Sequence, residues 1–569
     1  MEYHIIKNIA IPMRDQTILY ADLYMPATNG IFPVVIMRTP YNKDNFDQEW
    51  LYSNPEAWLK EGYCLLIQDT RGCCRSEGIL RSTGESEVAD GYDTVEWAAA
   101  QPWCDGNVGM YGLSYFGWTQ YAAAEGCPPH LRAICPYMNA SLLPFSVNEC
   151  KAVGSLHMYW LYSQALTRLD FLDMAEEKRE QIRSALTTNL EHLDELLFPL
   201  PLKNTKAAHV EGVPLLEDYI ALVEGAEKKS FWDTGHHPVK IEQMTTPMLH
   251  LTGWFDMAKD GTIRQYLAGK CNSVVGDKQK LIIGPWFHGG ALTDRVDDLF
   301  FGPQASGKAM KMDQMMIRWM DRWLKRKENN VDNEPEVLYF MLGSNTWKSA
   351  SVFPPAGTAY RTWYLDSRGG SQKDNGRLSN HIPPQDGIRQ YVYDPQKPVR
   401  SDFKDSQGRQ LAADLREQEI REDILTFTSD PLEEGLPVTG EVKLTLHVST
   451  TAVDTDFICR LTDVEPQGRV TGYTWGMCRT RFLDNGFEPK LLTPGEKIRL
   501  EISLGFISTY FEKGHRIGLE IMSSFYPAVN RNTNSGLPSG IAAQCIKATQ
   551  QIFFGETQPS ALSLPVETC

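Results

Sequence analysis

Between residue 31 and about residue 140, continuous apolar runs alternate with helix-like segments, and this alternation limits the possible folds more than any other feature of the sequence. The runs lie at 32–39, 63–69, 108–112 and 131–138. Successive residues in each run are apolar, which is typical of strands that are covered on both faces. Because strands separated by helices form βαβ units, this region predicts a parallel sheet with helices on both sides.

The stretch 141–240 has a different character, since it contains a long Leu-rich amphipathic segment and no strand pattern. It therefore predicts a helical insertion. Apolar runs return at 245–254 and 279–286. We expect residues 1–140 and 241–350 to form one α/β domain that is interrupted by this insertion.

The last part of the chain, residues 351–569, shows hydrophobic alternation with a period of two residues. In the run 442–449, every second residue from Val442 to Val448 would face a core while the residues between them face water. Many short runs of this kind, separated by Gly and Pro turns, predict an antiparallel β-sandwich or jelly roll.

The chain carries 56 Lys and Arg against 72 Asp and Glu, so its formal net charge is −16. Such a surface repels phosphate backbones and anionic lipid, which argues against nucleic acid as a partner. No run of about 18 apolar residues is present, so we expect no membrane span. The twelve cysteines have no regular spacing, and the first residues resemble strands rather than a signal peptide. We therefore expect reduced thiols and a cytoplasmic location.

The segment Gly112-Leu113-Ser114-Tyr115-Phe116-Gly117 lies between a strand-like run and a helix-like segment. A serine nucleophile of the α/β-hydrolase type needs this context, because the sharp turn between strand and helix projects the hydroxyl above the sheet. The usual motif has glycine two residues after the serine, whereas here Phe116 takes that place and Gly117 follows it. We predict Ser114 as a nucleophile; the alternative is a serine that only caps the helix.

A serine hydroxyl becomes a good nucleophile when a base takes its proton and an acid orients that base. In α/β-hydrolases the acid and the base follow the serine in that order, each on a loop after a later strand. The run 245–254 is followed by Asp256, and the run 279–286 is followed by His288. These positions predict Asp256 as the acid and His288 as the base.

Several further acids and histidines fit these two roles less well. Asp260, Asp294 and Asp297 lie away from the strand ends, and we expect them to be solvated or to cap helices. Four further histidines are expected to have ordinary surface or core roles; they are His157, His236, His237 and His447.

Acyl transfer also needs hydrogen-bond donors for the oxyanion that develops in the transition state. The backbone N–H of Tyr115, directly after Ser114, is expected to be one donor. The second usually comes from the loop after an early strand, here residues 38–42, which contain no glycine run. Tyr41 in this loop offers a phenolic O–H; the alternative is a tyrosine that packs at the end of the loop.

Five segments occur along the chain in a specific order: RTPYNK (38–43), DTRGCCRSEG (69–78), PWCDGNVGMYGLSYFG (102–117), LTGWFD (251–256) and GPWFHG (284–289). Together they resemble the CocE/NonD family of serine hydrolases, which is related to the X-prolyl dipeptidyl-peptidases. The resemblance extends from the opening IPMRD to the C-terminal sandwich, and so covers nearly the whole chain.

This resemblance implies an α/β-hydrolase core, a helical cap in place of the predicted insertion and a C-terminal jelly roll. It identifies Tyr41 as the tyrosine oxyanion donor of the family and supports the predicted catalytic triad. In the DxRG loop, Asp69 and Arg71 are expected to fix the loop by ion pairing near the cap.

The expected reaction is hydrolysis of a carboxylic ester, or of an amide, through an acyl-enzyme, with a small molecule as the partner. Many aromatic residues near the candidate triad are expected to pack in the core, whereas Trp160 and Phe255 are predicted to line an apolar acyl pocket. We expect no cofactor and no metal. The segment 302–308 has P-loop spacing but lacks the hydroxyl residue that binds magnesium.

Three different activities remain open. An X-prolyl dipeptidyl-peptidase would need an extra N-terminal helical domain and a carboxylate for the substrate amine. A β-lactam acylase or α-amino acid ester hydrolase would need acidic residues that bind the α-amino group of the substrate. Such residues cannot be selected from Glu-rich parts of the insertion, such as Glu176 and Glu177. The third is an inactive hydrolase scaffold that serves as a binding module. The sequence also leaves a homodimer open.

Overall fold

The computed structural model of the chain describes residues 2–28, 30–45, 55–81, 84, 86–139, 151–233, 240–272, 274–367, 376–401, 414–483 and 486–568. The predicted boundary between residues 140 and 141, as well as His236 and His237, lies outside these ranges.

Twelve strands occupy the described parts of the first 350 residues. They are β1 (Tyr3–Pro12), β2 (Ile18–Pro26), β3 (Phe32–Thr39), β4 (Cys64–Asp69), β5 (Cys104–Leu113), β6 (Leu131–Tyr137), β7 (Met248–Phe255), β8 (Gln279–Phe287), β9 (Arg295–Val296), β10 (Leu299–Phe300), β11 (Val337–Met341) and β12 (Thr346–Ala350). Ten of them form one sheet in the order β1-β2-β4-β3-β5-β6-β7-β8-β11-β12, while β9 and β10 pair with each other. The strands from β4 to β11 in this order pair in parallel, which confirms the predicted parallel sheet.

The described helices fall into two groups. The first group packs on the ten-stranded sheet and consists of α1 (Pro55–Lys60), α2 (Glu87–Ala99), α3 (Tyr115–Glu125), α9 (Lys259–Lys270) and α10 (Met312–Leu324). The second group lies between β6 and β7 and consists of α4 (Ser155–Arg168), α5 (Glu176–Glu191), α6 (Leu193–Leu197), α7 (Asp218–Gly225) and α8 (Lys229–Asp233). Helices α4 to α8 pack around a separate hydrophobic cluster, to which Cys73 and Leu80 of the segment after β4 also contribute. The predicted helical insertion thus corresponds to helices in the described residues between β6 and β7.

The parallel strands are apolar at consecutive positions because both faces of the sheet are covered. On β3, Val34 and Ile36 pack in a cluster that includes residues of α2 and α3. Val35 and Met37, which point to the other face, pack in a cluster that includes residues of α1 and α10. Between these two helical layers, residues 33–39 of β3 are all buried, as the sequence pattern indicated.

Eleven strands form a second sheet system in the described residues after 350. They are β13 (Thr358–Asp366), β14 (Gly376–Ser379), β15 (Gly387–Tyr393), β16 (Leu425–Ser429), β17 (Leu436–Thr450), β18 (Asp456–Val464), β19 (Val470–Arg479), β20 (Ile498–Phe511), β21 (Arg516–Met522), β22 (Ala548–Phe554) and β23 (Ala561–Glu567). The order is β15-β22-β17-β23-β13-β14-β16-β21-β18-β19, and β20 pairs with β17. The β14–β16 pair is parallel, and the remaining pairs are antiparallel.

The predicted two-residue alternation is confirmed in β17. Val442, Leu444, Leu446 and Val448 are each 0% exposed, whereas the side chains between them are exposed or half-buried. One face of this strand therefore packs in the core of the C-terminal β domain, and the opposite face is partly exposed to solvent.

Hydrogen bonds connect the helices that lie between β6 and β7 with this β domain. The N–H of Ser155 donates to the carbonyl of Pro527 at 3.0 Å. The N–H of Val153 donates to Asn530 Oδ1 at 2.9 Å. Among the described helices, none is long and apolar enough to cross a membrane.

Candidate active site

Ser114 occupies a strained turn between β5 and α3. Its φ of 61° and ψ of −123° place it in a backbone region that residues other than glycine rarely adopt. The Ser114 N–H donates to the carbonyl of Tyr137 on the neighbouring strand β6 at 2.9 Å. One turn into α3, a Cβ added to Gly117 would lie 2.8 Å from the Cβ of Asn139. The glycine that follows Phe116 thus allows the helix to pass close to β6.

Ser114, His288 and Asp256 form a continuous hydrogen-bonded row. His288 Nε2 lies 2.9 Å from Ser114 Oγ, and His288 Nδ1 lies 2.8 Å from Asp256 Oδ1. The side chain of Asp256 is fully buried and that of His288 is 20% exposed. The structure therefore brings together the three residues that the strand-end positions predicted, although 142 and 32 residues of chain separate them.

The surroundings of Asp256 determine how it can orient the imidazole. Its carboxylate accepts hydrogen bonds from the Thr252 hydroxyl at 2.8 Å and from the Ala258 N–H at 3.0 Å. A carboxylate held in this way accepts the Nδ1 proton of His288, which leaves the Nε2 lone pair directed at the Ser114 hydroxyl. This arrangement suits removal of the hydroxyl proton by Nε2.

The rival acids have different environments. Asp297 is exposed, as expected of a solvated residue. Asp260, by contrast, is 8% exposed, and its Oδ1 accepts the backbone N–H of Phe506 on β20 at 2.7 Å. The expectation that Asp260 is solvated or caps a helix is therefore wrong, because the β domain covers the start of α9.

Tyr41 lies beside the Ser114 hydroxyl. The indole Nε1 of Trp160 donates a hydrogen bond to the Tyr41 hydroxyl at 3.1 Å. Burial raises the pKa of Tyr41, while its hydrogen bonds with Trp160 and Ser114 act in the opposite direction. Because an indole can only donate, the Tyr41 oxygen accepts from Trp160, and the phenolic O–H is the group of this side chain that can donate to an oxyanion.

Tyr115 is the first residue of α3, so its N–H belongs to the helical turn whose N–H groups have no acceptor within the helix. Its side-chain hydroxyl donates to Glu87 Oε1 at 3.0 Å. Glu87 in turn is paired with Arg38 at 2.6 Å, and both side chains are almost fully buried. Burial raises the pKa of the Glu87 carboxyl.

This buried ion pair was not anticipated from the sequence. A signal for it is present, since Arg38 is a charged residue near the end of the apolar run of β3. A charge buried in a strand of this kind needs a partner.

The loop that carries Tyr41 is anchored by Asp69 at the end of β4. The backbone N–H of Lys43 donates to Asp69 Oδ1 at 2.7 Å. Arg71 forms ion pairs, as expected, with Asp90 at 2.6 Å and with Asp15 at 2.8 Å. The DxRG loop is thus fixed by two separate sets of contacts, and Asp69 acts on the loop that carries Tyr41.

The two predicted pocket residues lie in different environments. Trp160 is half-buried and stacks on the ring of Tyr115, with centroids 5.8 Å apart and an angle of 10° between planes. Phe255 is 4% exposed and stacks on Phe301 with centroids 5.9 Å apart. Trp160 therefore reaches the Ser114 region from α4, whereas Phe255 packs in the hydrophobic core that its strand shares with the β domain.

A cavity of about 410 Å³ lies between the α4–α6 helices and the β domain. Its lining is polar and largely acidic: Tyr159, Glu191, His192, Asp194, Glu195, Phe198 and Arg400. No residue of the Ser114–His288–Asp256 row is among them. In the described part of the chain, no group of three or more His, Cys, Asp or Glu side chains is arranged to hold a metal ion.

Comparisons with known proteins agree over almost the entire chain. Residues 15–290 match the model of the X-Pro dipeptidyl-peptidase (S15 family), and residues 329–563 match the X-Pro dipeptidyl-peptidase C-terminal non-catalytic domain. The chain is 31% identical to the cocaine esterase of Rhodococcus sp. (strain MB1 Bresler) over 578 residues, which cover 99% of each chain.

Two solved structures have the same overall fold. An aminopeptidase from the marine sediment archaeon Thaumarchaeota archaeon aligns with a TM-score of 0.85 and 23% identity, covering 100% of this chain and 97% of its own. An α-amino acid ester hydrolase aligns with a TM-score of 0.81 and 24% identity, covering 99% and 96%. The fold is thus an α/β-hydrolase core followed by a C-terminal β domain. Because the alignment with the cocaine esterase spans both chains almost completely, this chain belongs to the CocE/NonD family of serine hydrolases.

Proposed function

We propose that this chain is a serine esterase in which Ser114 is the nucleophile, His288 the general base and Asp256 the residue that orients His288. The observation that carries the proposal is the hydrogen-bonded row with 2.9 Å between Ser114 Oγ and His288 Nε2 and 2.8 Å between His288 Nδ1 and Asp256 Oδ1. Membership of a serine hydrolase family supports the same assignment.

In the first half of the proposed reaction, His288 Nε2 takes the proton of the Ser114 hydroxyl as Oγ bonds to the ester carbonyl carbon. The carbonyl oxygen becomes an oxyanion, to which the Tyr41 O–H and the Tyr115 N–H donate. The imidazolium then passes its proton to the leaving alcohol oxygen while the ester C–O bond breaks. Ser114 is left acylated.

In the second half, water attacks the acyl carbon while His288 Nε2 takes one of its protons. The oxyanion forms again at the same donors. When it collapses, the bond to Ser114 Oγ breaks and the imidazolium returns a proton to that oxygen. The products are a carboxylic acid and the free enzyme.

We propose a small ester with an apolar acyl group as the substrate, and no cofactor. Aromatic rings surround the proposed nucleophile: the Tyr41 ring lies 5.2 Å from that of Phe116, and Trp160 stacks on Tyr115. Such surfaces favour an aryl or alkyl acyl group over a charged one. Trp160 is the proposed pocket residue, while the buried position of Phe255 favours a packing role.

The proposed roles of the chain segments follow from this site. We propose that residues 1–140 and 241–350 form the catalytic domain and that residues 141–240 form a helical cap over it. Support for the cap comes from Trp160 of α4, whose side chain contacts Tyr41. Residues 351–569 are proposed to form a jelly roll, for which the mainly antiparallel β13–β23 strands are the basis.

The test is covalent labelling with a fluorophosphonate probe, together with hydrolysis of short-chain nitrophenyl esters. Ser114→Ala should abolish labelling and reduce kcat by about 10,000-fold or more, because it removes the hydroxyl that lies 2.9 Å from His288 Nε2. Ser344→Ala, at a turn after β11, is the matched control and should keep both activities.

Labelling of Ser114→Ala at the level of the unaltered protein would overturn the assignment of the nucleophile. Absence of both labelling and ester hydrolysis in the unaltered protein would mean that the chain is a binding module rather than an enzyme. An X-prolyl anilide and an α-amino acid ester are assayed beside the nitrophenyl esters. Their relative kcat/KM values show whether the protein prefers the substrate of a dipeptidyl-peptidase or that of an α-amino acid ester hydrolase.

A further inference from the structure

The start of α9, directly after Asp256, is buried against the C-terminal β domain. Lys259 is 6% exposed and Asp260 is 8% exposed. The Lys259 ammonium donates to the Thr474 hydroxyl of β19 at 3.0 Å, and Asp260 Oδ1 accepts the Phe506 N–H of β20 at 2.7 Å. Two consecutive charged residues are thus bound by a domain that contributes no residue to the proposed triad.

The contact surface on β20 is shaped for Asp260. Gly505 has a φ of +85°, and a Cβ added to it would lie 2.6 Å from Asp260 Oδ2. The backbone of β20 therefore approaches the carboxylate as closely as a glycine allows. Lys259 Nζ also lies 3.5 Å from Asp260 Oδ2, so the two buried charges compensate each other.

The same contact continues one turn along the helix. Arg264 pairs with Glu441 of β17 at 3.2 Å, and Glu441 accepts a hydrogen bond from the Ser503 hydroxyl of β20 at 2.7 Å. The first two turns of α9 are therefore held by the β domain at three side chains.

The residues held by the β domain are hydrogen-bonded to the turn 256–259, which contains the proposed acid, Asp256. The Lys259 N–H donates to the Asp256 carbonyl at 3.1 Å, and the Ala258 N–H donates to Asp256 Oδ1 at 3.0 Å. A displacement of Lys259 or Asp260 thus moves the donor that orients the Asp256 carboxylate. That carboxylate in turn sets the position of the His288 ring.

We infer that Lys259 and Asp260 are positioning residues for the proposed triad, through which β19 and β20 hold the Asp256 turn in its reactive geometry. The inference rests on the proposed roles of Asp256 and His288. The inference gives the β domain a part in the acyl-transfer step, although this domain supplies no reacting group.

The experiment compares two variants at Asp260 with a control. Asp260→Ala removes the acceptor for the Phe506 N–H, whereas Asp260→Asn retains an Oδ1 acceptor. Lys348→Met is the matched control, because it breaks a different ion pair between the two domains, Lys348 with Glu567 at 2.8 Å, which does not involve the 256–260 turn. For each variant, kcat and KM for a nitrophenyl ester, the rate of fluorophosphonate labelling and the Tm are measured.

Asp260→Ala should lower kcat and the labelling rate by about 10- to 100-fold, since a small misplacement of a catalytic group costs about that much. KM should stay within about two-fold, because the ground-state contacts are retained. Asp260→Asn should recover most of kcat. Lys348→Met should keep kcat even where its Tm falls as far as that of Asp260→Ala.

Equal loss of kcat in Asp260→Ala and Lys348→Met would overturn the inference, because the effect would then be general destabilisation. Unchanged kcat in Asp260→Ala would overturn it as well. If Asp260→Ala does not fold, Thr474→Val takes its place: it removes the acceptor for Lys259 at nearly constant volume, and a loss of kcat of less than about two-fold would count against the inference.

The outcome is separable from that of the proposed function. If the unaltered protein is not labelled at Ser114, the proposed function fails. If it is labelled, and the Asp260 and Thr474 variants are labelled at the same rate, only the inference fails.

Discussion

At the scale of single residues, Asp69 is a buried carboxyl group that supports the loop of Tyr41. Its side chain accepts the Lys43 N–H at 2.7 Å, and the residue is 0% exposed. Burial raises the pKa of Asp69 from 3.8 to about 7, with a smaller contribution in the same direction from Asp44 and Asp22. The Lys43 N–H and the charge of Lys43 act in the opposite direction.

We predict that this group makes folding stability fall as the pH rises from about 4 to about 7. In that window the unfolded chain has lost the proton of Asp69 while the folded protein still holds it, so deprotonation favours unfolding. Asp69→Asn stays neutral and keeps an oxygen acceptor for Lys43. Its Tm should therefore exceed that of the unaltered protein by an amount that grows from pH 5 to about pH 7 and then levels off.

Thermal unfolding at several pH values measures this effect. Asp277→Asn, at an exposed position, is the control and should follow the unaltered protein throughout. Parallel Tm curves for Asp69→Asn and the unaltered protein would contradict the prediction.

At the scale of elements, α4 connects the helices between β6 and β7 with the proposed oxyanion site. The Trp160 indole donates to Tyr41 at 3.1 Å and its ring stacks on Tyr115. A hydrogen bond accepted by a phenol oxygen stabilises negative charge on it, which strengthens the donation of its own proton. In the proposed mechanism, the helix thus acts on the reaction through the Tyr41 hydroxyl.

We predict that Trp160→Phe lowers kcat by about 3- to 10-fold, the worth of one neutral hydrogen bond. Phenylalanine retains an aromatic ring against Tyr115 but has no N–H. Tyr41→Phe should have the larger effect, about 100- to 1,000-fold, because it removes the proposed oxyanion donor itself. Steady-state kinetics with a nitrophenyl ester give both values.

Trp97→Phe is the control, since Trp97 lies on α2 and packs against Trp103 with centroids 6.2 Å apart. A Trp160→Phe enzyme with raised KM and unchanged kcat would mean that the indole contacts the substrate and does not assist Tyr41.

At the scale of the whole molecule, a buried ion pair joins the helical group to the β domain. Arg481 pairs with Glu227 at 2.8 Å and lies 3.6 Å from Asp454. The side chains of Arg481, Glu227 and Asp454 are 3%, 10% and 0% exposed. Removal of the guanidinium leaves two buried carboxylates without this partner.

Arg481→Met should accordingly lower the free energy of unfolding by about 3 to 5 kcal/mol, the usual cost of breaking a buried pair from one side. Arg377→Met is the control, because Arg377 and Asp430 are 43% and 59% exposed, and its cost should stay below about 1 kcal/mol. Urea denaturation followed by tryptophan fluorescence measures both. Equal destabilisation by the two substitutions would show that the Arg481 pair is not an effective link.

Sequence alone determined where the main strands lie and which faces of them are buried. The run at 32–39 predicted β3 to the residue, and the alternation at 442–449 predicted the buried face of β17. The meeting of Ser114, Asp256 and His288 could be predicted because parallel strands end at one edge of a sheet, so residues that follow those ends lie close together there. Such signals are local, because the hydrophobic pattern of a strand and the point where it ends can be recognised from consecutive residues.

Tertiary structure alone decided which distant residues touch. No local pattern shows that Trp160 reaches Tyr41, that Glu87 receives the hydroxyl of Tyr115, or that Asp260 binds the backbone of β20. Asp260 and Phe255 resemble surface and pocket residues in the sequence, yet the β domain covers the first and the core encloses the second. The physical reason is that burial and partners depend on how whole elements pack, and this is not encoded at any one position.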